Sequence, residues 1–145
     1  MTTAPGWFVL ERRVAWVDTD PSGAYQFTAA IRYVEDTEIN LLRELGILDL
    51  LYPHLPRVAV QASYRRPCYF EEVVQVLIRV SRLGESSIEY EFRLQLPDGT
   101  RCAEGSMTAV FVGSNGQPTK LPEEARRTLD DRFAVDPLVG ERVDA

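Results

Sequence analysis

DTDPSGAYQFTAAIRYVEDTEINLLRELG, residues 18–46, is a turn followed by a helix, and the length of the helix decides the fold. Asp18-Thr19-Asp20-Pro21-Ser22-Gly23 gathers turn-forming residues: side chains that bond nearby backbone, a proline with fixed φ, and a glycine that tolerates positive φ. From about Thr28, the residues Ile31, Val34, Leu41, Leu42 and Leu45 recur at helical spacing, with Thr28 as a cap and Gly46 as a stop. The spacing predicts a helix of roughly 18 residues, well beyond the mean of about 11–12.

Outward from this helix the pattern changes to alternation. Trp7 to Asp18 reads as a strand covered on one face, with Val14 and Trp16 in its alternation. After the loop Tyr52-Pro53-His54-Leu55-Pro56 come four strand-like runs: Val58 to Tyr64, Val74 to Val80, Ile88 to Leu96, and Cys102 to Val112. Leu83-Gly84-Glu85 and Pro97-Asp98-Gly99-Thr100 supply short turns, and Gly113-Ser114-Asn115-Gly116 ends the last strand. An antiparallel meander is expected, each strand with one buried face. Leu121-Pro122-Glu123-Glu124 opens a short helix, its acids matching the positive end of the helix dipole. One sheet and one long helix bury their apolar faces together only if the sheet curls around the helix. The class is α+β: one domain over residues 1–145, the last ~12 forming a loose tail.

Composition narrows the function. With 45% hydrophobic and 26% charged residues in 145, the chain suits one packed domain. A formal net charge of -6 argues against a nucleic-acid partner, whose binding draws on clustered positive charge. No apolar run approaches the roughly 20 residues of a membrane span, and Met1 to Pro5 lacks the marks of a signal peptide, so no membrane and a cytoplasmic location are expected. Cys68 and Cys102 stand far apart and predict neither zinc nor a dithiol motif. His54 is the single histidine, and no serine-hydrolase, dinucleotide or P-loop signature is present.

Val17-Asp18-Thr19-Asp20-Pro21-Ser22-Gly23 before the long helix resembles the 4-hydroxybenzoyl-CoA thioesterase and YbgC-like branch of the hot-dog superfamily. The likeness continues through Tyr33-Val34-Glu35, Tyr64-Arg65-Arg66-Pro67, Glu71-Glu72-Val73, Gly84 with Ser86-Ser87, and Gly116-Gln117-Pro118, covering nearly the whole chain. It implies a hot-dog fold, an antiparallel sheet wrapped around one central helix. It implies hydrolysis of an acyl thioester to free acid and thiol without metal or cofactor, coenzyme A or phosphopantetheine being part of the substrate. The implied partners are acyl-CoA or an acyl carrier protein and further copies of the chain, as a homodimer or homotetramer with sites between subunits. Asp20 is the implied catalytic carboxylate, as nucleophile or general base, and the Phe27 backbone amide the implied oxyanion donor. The chain departs from the pattern at Gln26-Phe27-Thr28-Ala29-Ala30, which lacks the histidine and asparagine of many relatives. That departure keeps open a non-catalytic acyl-thioester-binding module.

The residues support this chemistry independently. Thioester hydrolysis needs donors where the carbonyl oxygen becomes negative and a carboxylate that attacks or activates water. Unpaired amides at a helix start supply the first, and Asp20 lies seven residues before Phe27. Asp18 is read as turn structure. Glu35 and Glu38 are the runner-up bases: Glu38 falls on the apolar stripe of the helix, where an acid needs an ion-pair partner, a subunit seam or a function. Tyr25 and Thr28 are placed at the acyl pocket. Arg65 and Arg66 are candidates for substrate phosphates, and Ser86 for the pantetheine arm.

Overall fold

A computed structural model of the chain describes residues 6–135. The expected loose tail falls mostly outside them. A short strand β1 (Phe8–Arg13) leads through a single 3-10 turn (Trp16–Asp18) to the long helix α1 (Phe27–Glu44). A four-residue helix α2 (Leu48–Leu51) and a 3-10 turn (Tyr52–His54) follow, then β2 (Arg57–Tyr64), β3 (Val73–Leu83), β4 (Ser87–Gln95), β5 (Arg101–Val110) and α3 (Glu123–Phe133).

Helix α1 has 18 residues and buries Ala29, Ala30, Tyr33, Val34, Thr37, Glu38, Leu41 and Leu42, one stripe at three- and four-residue spacing. Gly46, with φ +76°, ends it as a left-handed glycine that an L side chain would strain. The stripe meets Val74, Val76, Ile78, Val80, Ile88, Tyr90, Phe92 and Leu94, the inward residues of β3 and β4, in a single core cluster. Truncating a fully enclosed residue such as Leu42 to alanine costs about 2–5 kcal/mol. Helix α3 ties the β3–β4 turn to the start of β1 through Arg126 on the Gly84 carbonyl and Arg132 on the Trp7 carbonyl, and adds Ala125 and Leu129 to the core, joined by Leu121 just before it. Cys68 and Cys102 are buried free thiols.

Three sequence expectations are corrected. The first strand ends at Arg13, not Asp18, because the chain tightens into the 3-10 turn and leaves Trp16 75% and Val17 79% exposed. The sheet is antiparallel in the order β1-β3-β4-β5-β2, so only β3, β4 and β5 form a meander; β2 crosses over to pair with β5. Strand β2 also lacks a buried face, with only Arg57 and Ala62 less than exposed, because it is a free edge. At Gly105 of β5 a Cβ would meet the Gln61 carbonyl oxygen at 1.9 Å, so a glycine is required where β2 closes on β5.

Candidate active site

Asp18 and Asp20 flank Thr19 on a small hairpin. The Asp20 amide donates to the Ala24 carbonyl (2.9 Å), the Gln26 amide donates to the Asp18 carbonyl (2.8 Å), and Thr19 bridges Tyr25. The Gly23 amide closes the turn on the Asp20 carbonyl (2.9 Å), with Gly23 at φ +88°. The hairpin is anchored by the Tyr25 amide on the Cys68 carbonyl (2.7 Å) and the Phe70 amide on the Gly23 carbonyl (3.2 Å). It thus projects from the start of α1, with Asp20 roughly three residue rises, about 10 Å of backbone, from Phe27.

The two carboxylates have opposite environments. Asp18 is buried and accepts the Tyr33 hydroxyl (2.7 Å) and the Arg32 guanidinium (2.8 Å). Burial pushes its pKa up, but these donors pull it down by more, to below the usual carboxylate range. Asp20 is exposed and accepts the Ser22 hydroxyl (2.5 Å) and the Ser22 amide (2.8 Å), which hold its pKa below the usual range. Asp20 is therefore ionised at neutral pH and open to a ligand, while Asp18 braces the hairpin against α1.

Gln26 stands at the cap of α1 without a side-chain hydrogen bond to the helix. The Ala29 amide donates to the Gln26 carbonyl (2.8 Å), and among the described residues the Phe27 and Thr28 amides have no acceptor. Phe27 is 69% exposed, and its ring meets Tyr64 edge-on at 6.5 Å and 89°. The Tyr64 hydroxyl donates to the Phe27 carbonyl (2.8 Å). Trp16 and Phe70 meet edge-on at 5.7 Å, so the Asp20 hairpin rises among exposed aromatic rings.

The other expected residues are placed as follows. Tyr25 is buried, with its ring 6.2 Å from Tyr33. Arg65 is engaged by Glu104, and Arg66 by both oxygens of Glu72 at 2.9 Å, so neither guanidinium is unpaired. Ser86 lies at the other end of the sheet within the protomer: its carbonyl accepts the Phe111 amide (2.7 Å), near where β5 meets Arg57. The seven rises from Arg57 to Tyr64 make that roughly 23 Å of strand.

Glu38 is fully enclosed and paired to Arg57 at the start of β2. The Tyr90 hydroxyl faces the same carboxylate, without a well-aligned hydrogen bond. Burial raises the Glu38 pKa, against the pull of Arg57. Glu35 lies on the exposed side and accepts the Tyr52 hydroxyl (2.6 Å), while burial and this carboxylate push the Tyr52 pKa up to about 12. Glu35, Tyr52, Pro53, Leu55, Pro56 and Arg57 line an open groove of about 350 Å³. Tyr52, Arg57 and Tyr64 had no assigned role in the sequence; an acid on an apolar helix stripe does signal that a cation must be nearby.

Among the described residues, no group of three or more His, Cys, Asp or Glu side chains could hold a metal ion, and no helix is long and apolar enough to cross a membrane.

Comparison with known proteins gives consistent matches. The model of the thioesterase-like superfamily matches residues 14–129. A 1,4-dihydroxy-2-naphthoyl-CoA hydrolase of Parasynechococcus marenigrum (strain WH8102) is 28% identical over 136 residues, covering 85% of this chain and 89% of the relative. A solved thioesterase of Thermus thermophilus, complexed with coenzyme A and Zn, superposes with a TM-score of 0.79 at 25% identity, covering 92% of this chain and 100% of that one. The 1,4-dihydroxy-2-naphthoyl-CoA thioesterase Slr0204 of Synechocystis shares the fold at a TM-score of 0.77 and 16% identity, covering 86% of this chain and 96% of its own. With its sheet curled on one long helix and its match to the family over most of its length, the chain is a hot-dog thioester hydrolase that belongs to the thioesterase-like superfamily.

Proposed function

We propose that Asp20 is the catalytic carboxylate of this hydrolase and that the Phe27 and Thr28 amides form its oxyanion site. The carrying observation is the hairpin that ties an exposed, ionised aspartate to a helix start whose first two amides have no protein acceptor. An acyl-CoA carbonyl lying between them has its oxygen at the amides and its carbon facing the carboxylate. Asp20 either attacks that carbon or takes a proton from the water that does. The tetrahedral oxyanion is stabilised by the two amides and the positive end of the dipole, where losing one donor costs about 10²–10³ in rate. Collapse expels the coenzyme A thiolate. The direct route leaves an anhydride with Asp20, which water opens to the free acid.

Strand β2 is a free edge with Val58 53% and Val60 48% exposed, an arrangement that invites pairing with a second copy. Antiparallel pairing of two β2 edges sets the Tyr64 end of one against the Arg57 end of the other. The groove of Glu35, Tyr52 and Arg57 in one subunit then faces the Asp20 hairpin of its partner, and the acyl group occupies the space between. A groove with carboxylate, phenol and guanidinium groups suits an acyl group bearing hydroxyls, in keeping with the aromatic acyl-CoA named for the relatives.

The test is thiol release from a panel of aliphatic, aromatic and hydroxyaromatic acyl-CoA esters, run with wild type and Asp20→Asn. Turnover by wild type and a loss of about 10³-fold or more in the variant are expected, at unchanged melting temperature. Undiminished turnover in Asp20→Asn removes the aspartate from the mechanism. Binding without turnover by wild type makes the chain the non-catalytic module instead.

A further inference from the structure

Tyr64 ends the edge strand, four residues before Cys68, whose carbonyl anchors the Asp20 hairpin, and its hydroxyl reaches α1. It donates to the Phe27 carbonyl at 2.8 Å, while its ring stands edge-on to Phe27. The Phe27 carbonyl and the Thr28 amide hydrogen belong to one peptide group. A donor on that oxygen does two things: it fixes the plane of the peptide, and it draws electron density from the nitrogen, making the Thr28 N–H a stronger donor. Alone, the first peptides of a helix fray, because their amides lack partners and their carbonyls carry one bond each. Here no side chain caps the helix start, and Gln26 turns its amide to the Thr19 carbonyl at 3.3 Å instead. Among the described residues, Tyr64 makes the side-chain hydrogen bond that holds the first peptide of α1 from outside the helix.

We infer that Tyr64 is a positioning residue, whose hydroxyl orients and polarises the Phe27–Thr28 peptide so that the Thr28 amide serves as an oxyanion donor. This rests on the proposed oxyanion site at the start of α1. Burial raises the Tyr64 pKa, so the hydroxyl stays a donor through the neutral range. The contribution is selective: the ground-state thioester carbonyl is a weak acceptor, and the oxyanion a strong one, so donor strength registers in the transition state more than in binding.

Tyr64→Phe keeps the ring against Phe27 and removes only the hydroxyl. Its kcat should fall about 3- to 10-fold, part of the loss on deleting a whole donor, with KM within about twofold. Melting temperature and oligomeric state should match wild type. A variant with wild-type kcat overturns the inference, as does a rise in KM at constant kcat, which is the mark of ground-state binding. A fall in activity that tracks loss of the oligomer also overturns it, since Tyr64 would then act through the subunit seam. Asp20→Asn run alongside separates the two claims: if it retains turnover the reading of the site fails, whereas its loss together with an unaffected Tyr64→Phe sinks the Tyr64 role alone.

Discussion

Asp18 and Asp20 are the same residue type two positions apart, and the fold makes them opposites. Asp18 holds Tyr33 and Arg32 in a buried network, while Asp20 faces outward with only Ser22 for support. Ser22 matters because its hydroxyl and amide both bond the charged form of Asp20 and so favour ionisation. Removing the hydroxyl in Ser22→Ala weakens that preference and moves the Asp20 pKa upward. Activity that needs the carboxylate is lost as pH falls through this pKa, so the acid limb of the kcat/KM profile should sit below the usual aspartate range in wild type and at higher pH in Ser22→Ala. An unshifted limb would mean that Ser22 does not tune the group that limits the rate. For Asp18 the sign runs through stability: its folded pKa is depressed, so its contribution is present above the unfolded value and fades as pH drops through the folded one. The local turn signal was legible in the sequence for both residues. The family resemblance already set Asp20 apart from Asp18 as turn structure; the burial of Asp18 against Tyr33 and Arg32 was not legible, because it depends on which aspartate the arriving helix covers.

Between elements, Glu38 and Arg57 tie the middle of α1 to the start of β2. A buried carboxylate is costly to desolvate, and the guanidinium makes it tolerable. Glu38→Ala leaves Arg57 partly enclosed without its counter-charge and should lower stability by about 3 kcal/mol. Replacing both, as Glu38→Leu with Arg57→Met, should recover most of that loss, because an apolar pair has no desolvation cost. Denaturant titrations of wild type, single and double variants form the cycle; a double variant no better than the single one would show that the pair is worth more than its desolvation costs. The apolar helix stripe announced that Glu38 needed explaining. Its partner was hidden, because Arg57 lies 19 residues away across α2 and a loop, a separation over which spacing rules carry no information.

For the whole molecule, the free edge of β2 and the distance between the Asp20 hairpin and the Glu35 groove support one proposal: each protomer carries two halves of the proposed site at opposite ends of one strand, to be joined by pairing of β2 edges. Light scattering should therefore find a dimer or tetramer, and Val60→Lys, which sets a charge on the exposed edge, should shift it toward monomer and reduce turnover in step. A monomeric Val60→Lys with full activity would place the complete site within one subunit.

The long helix starts at Phe27 behind Gln26, not at Thr28 with Thr28 as its cap; legible from the residues alone were its stop at Gly46, the alternation of β3, β4 and β5, the short last helix and the turn bearing Asp20. These follow from periodicity and turn chemistry within a few neighbouring residues. Packing of distant segments is what pairs β2 with β5, buries Asp18 and Tyr25, brings Arg57 to Glu38, and sets the Tyr64 hydroxyl on the Phe27 carbonyl. Each of these joins parts of the chain far apart in sequence, and such contacts are selected by how the curled sheet closes on the helix, a property of the whole packed core that no local stretch encodes.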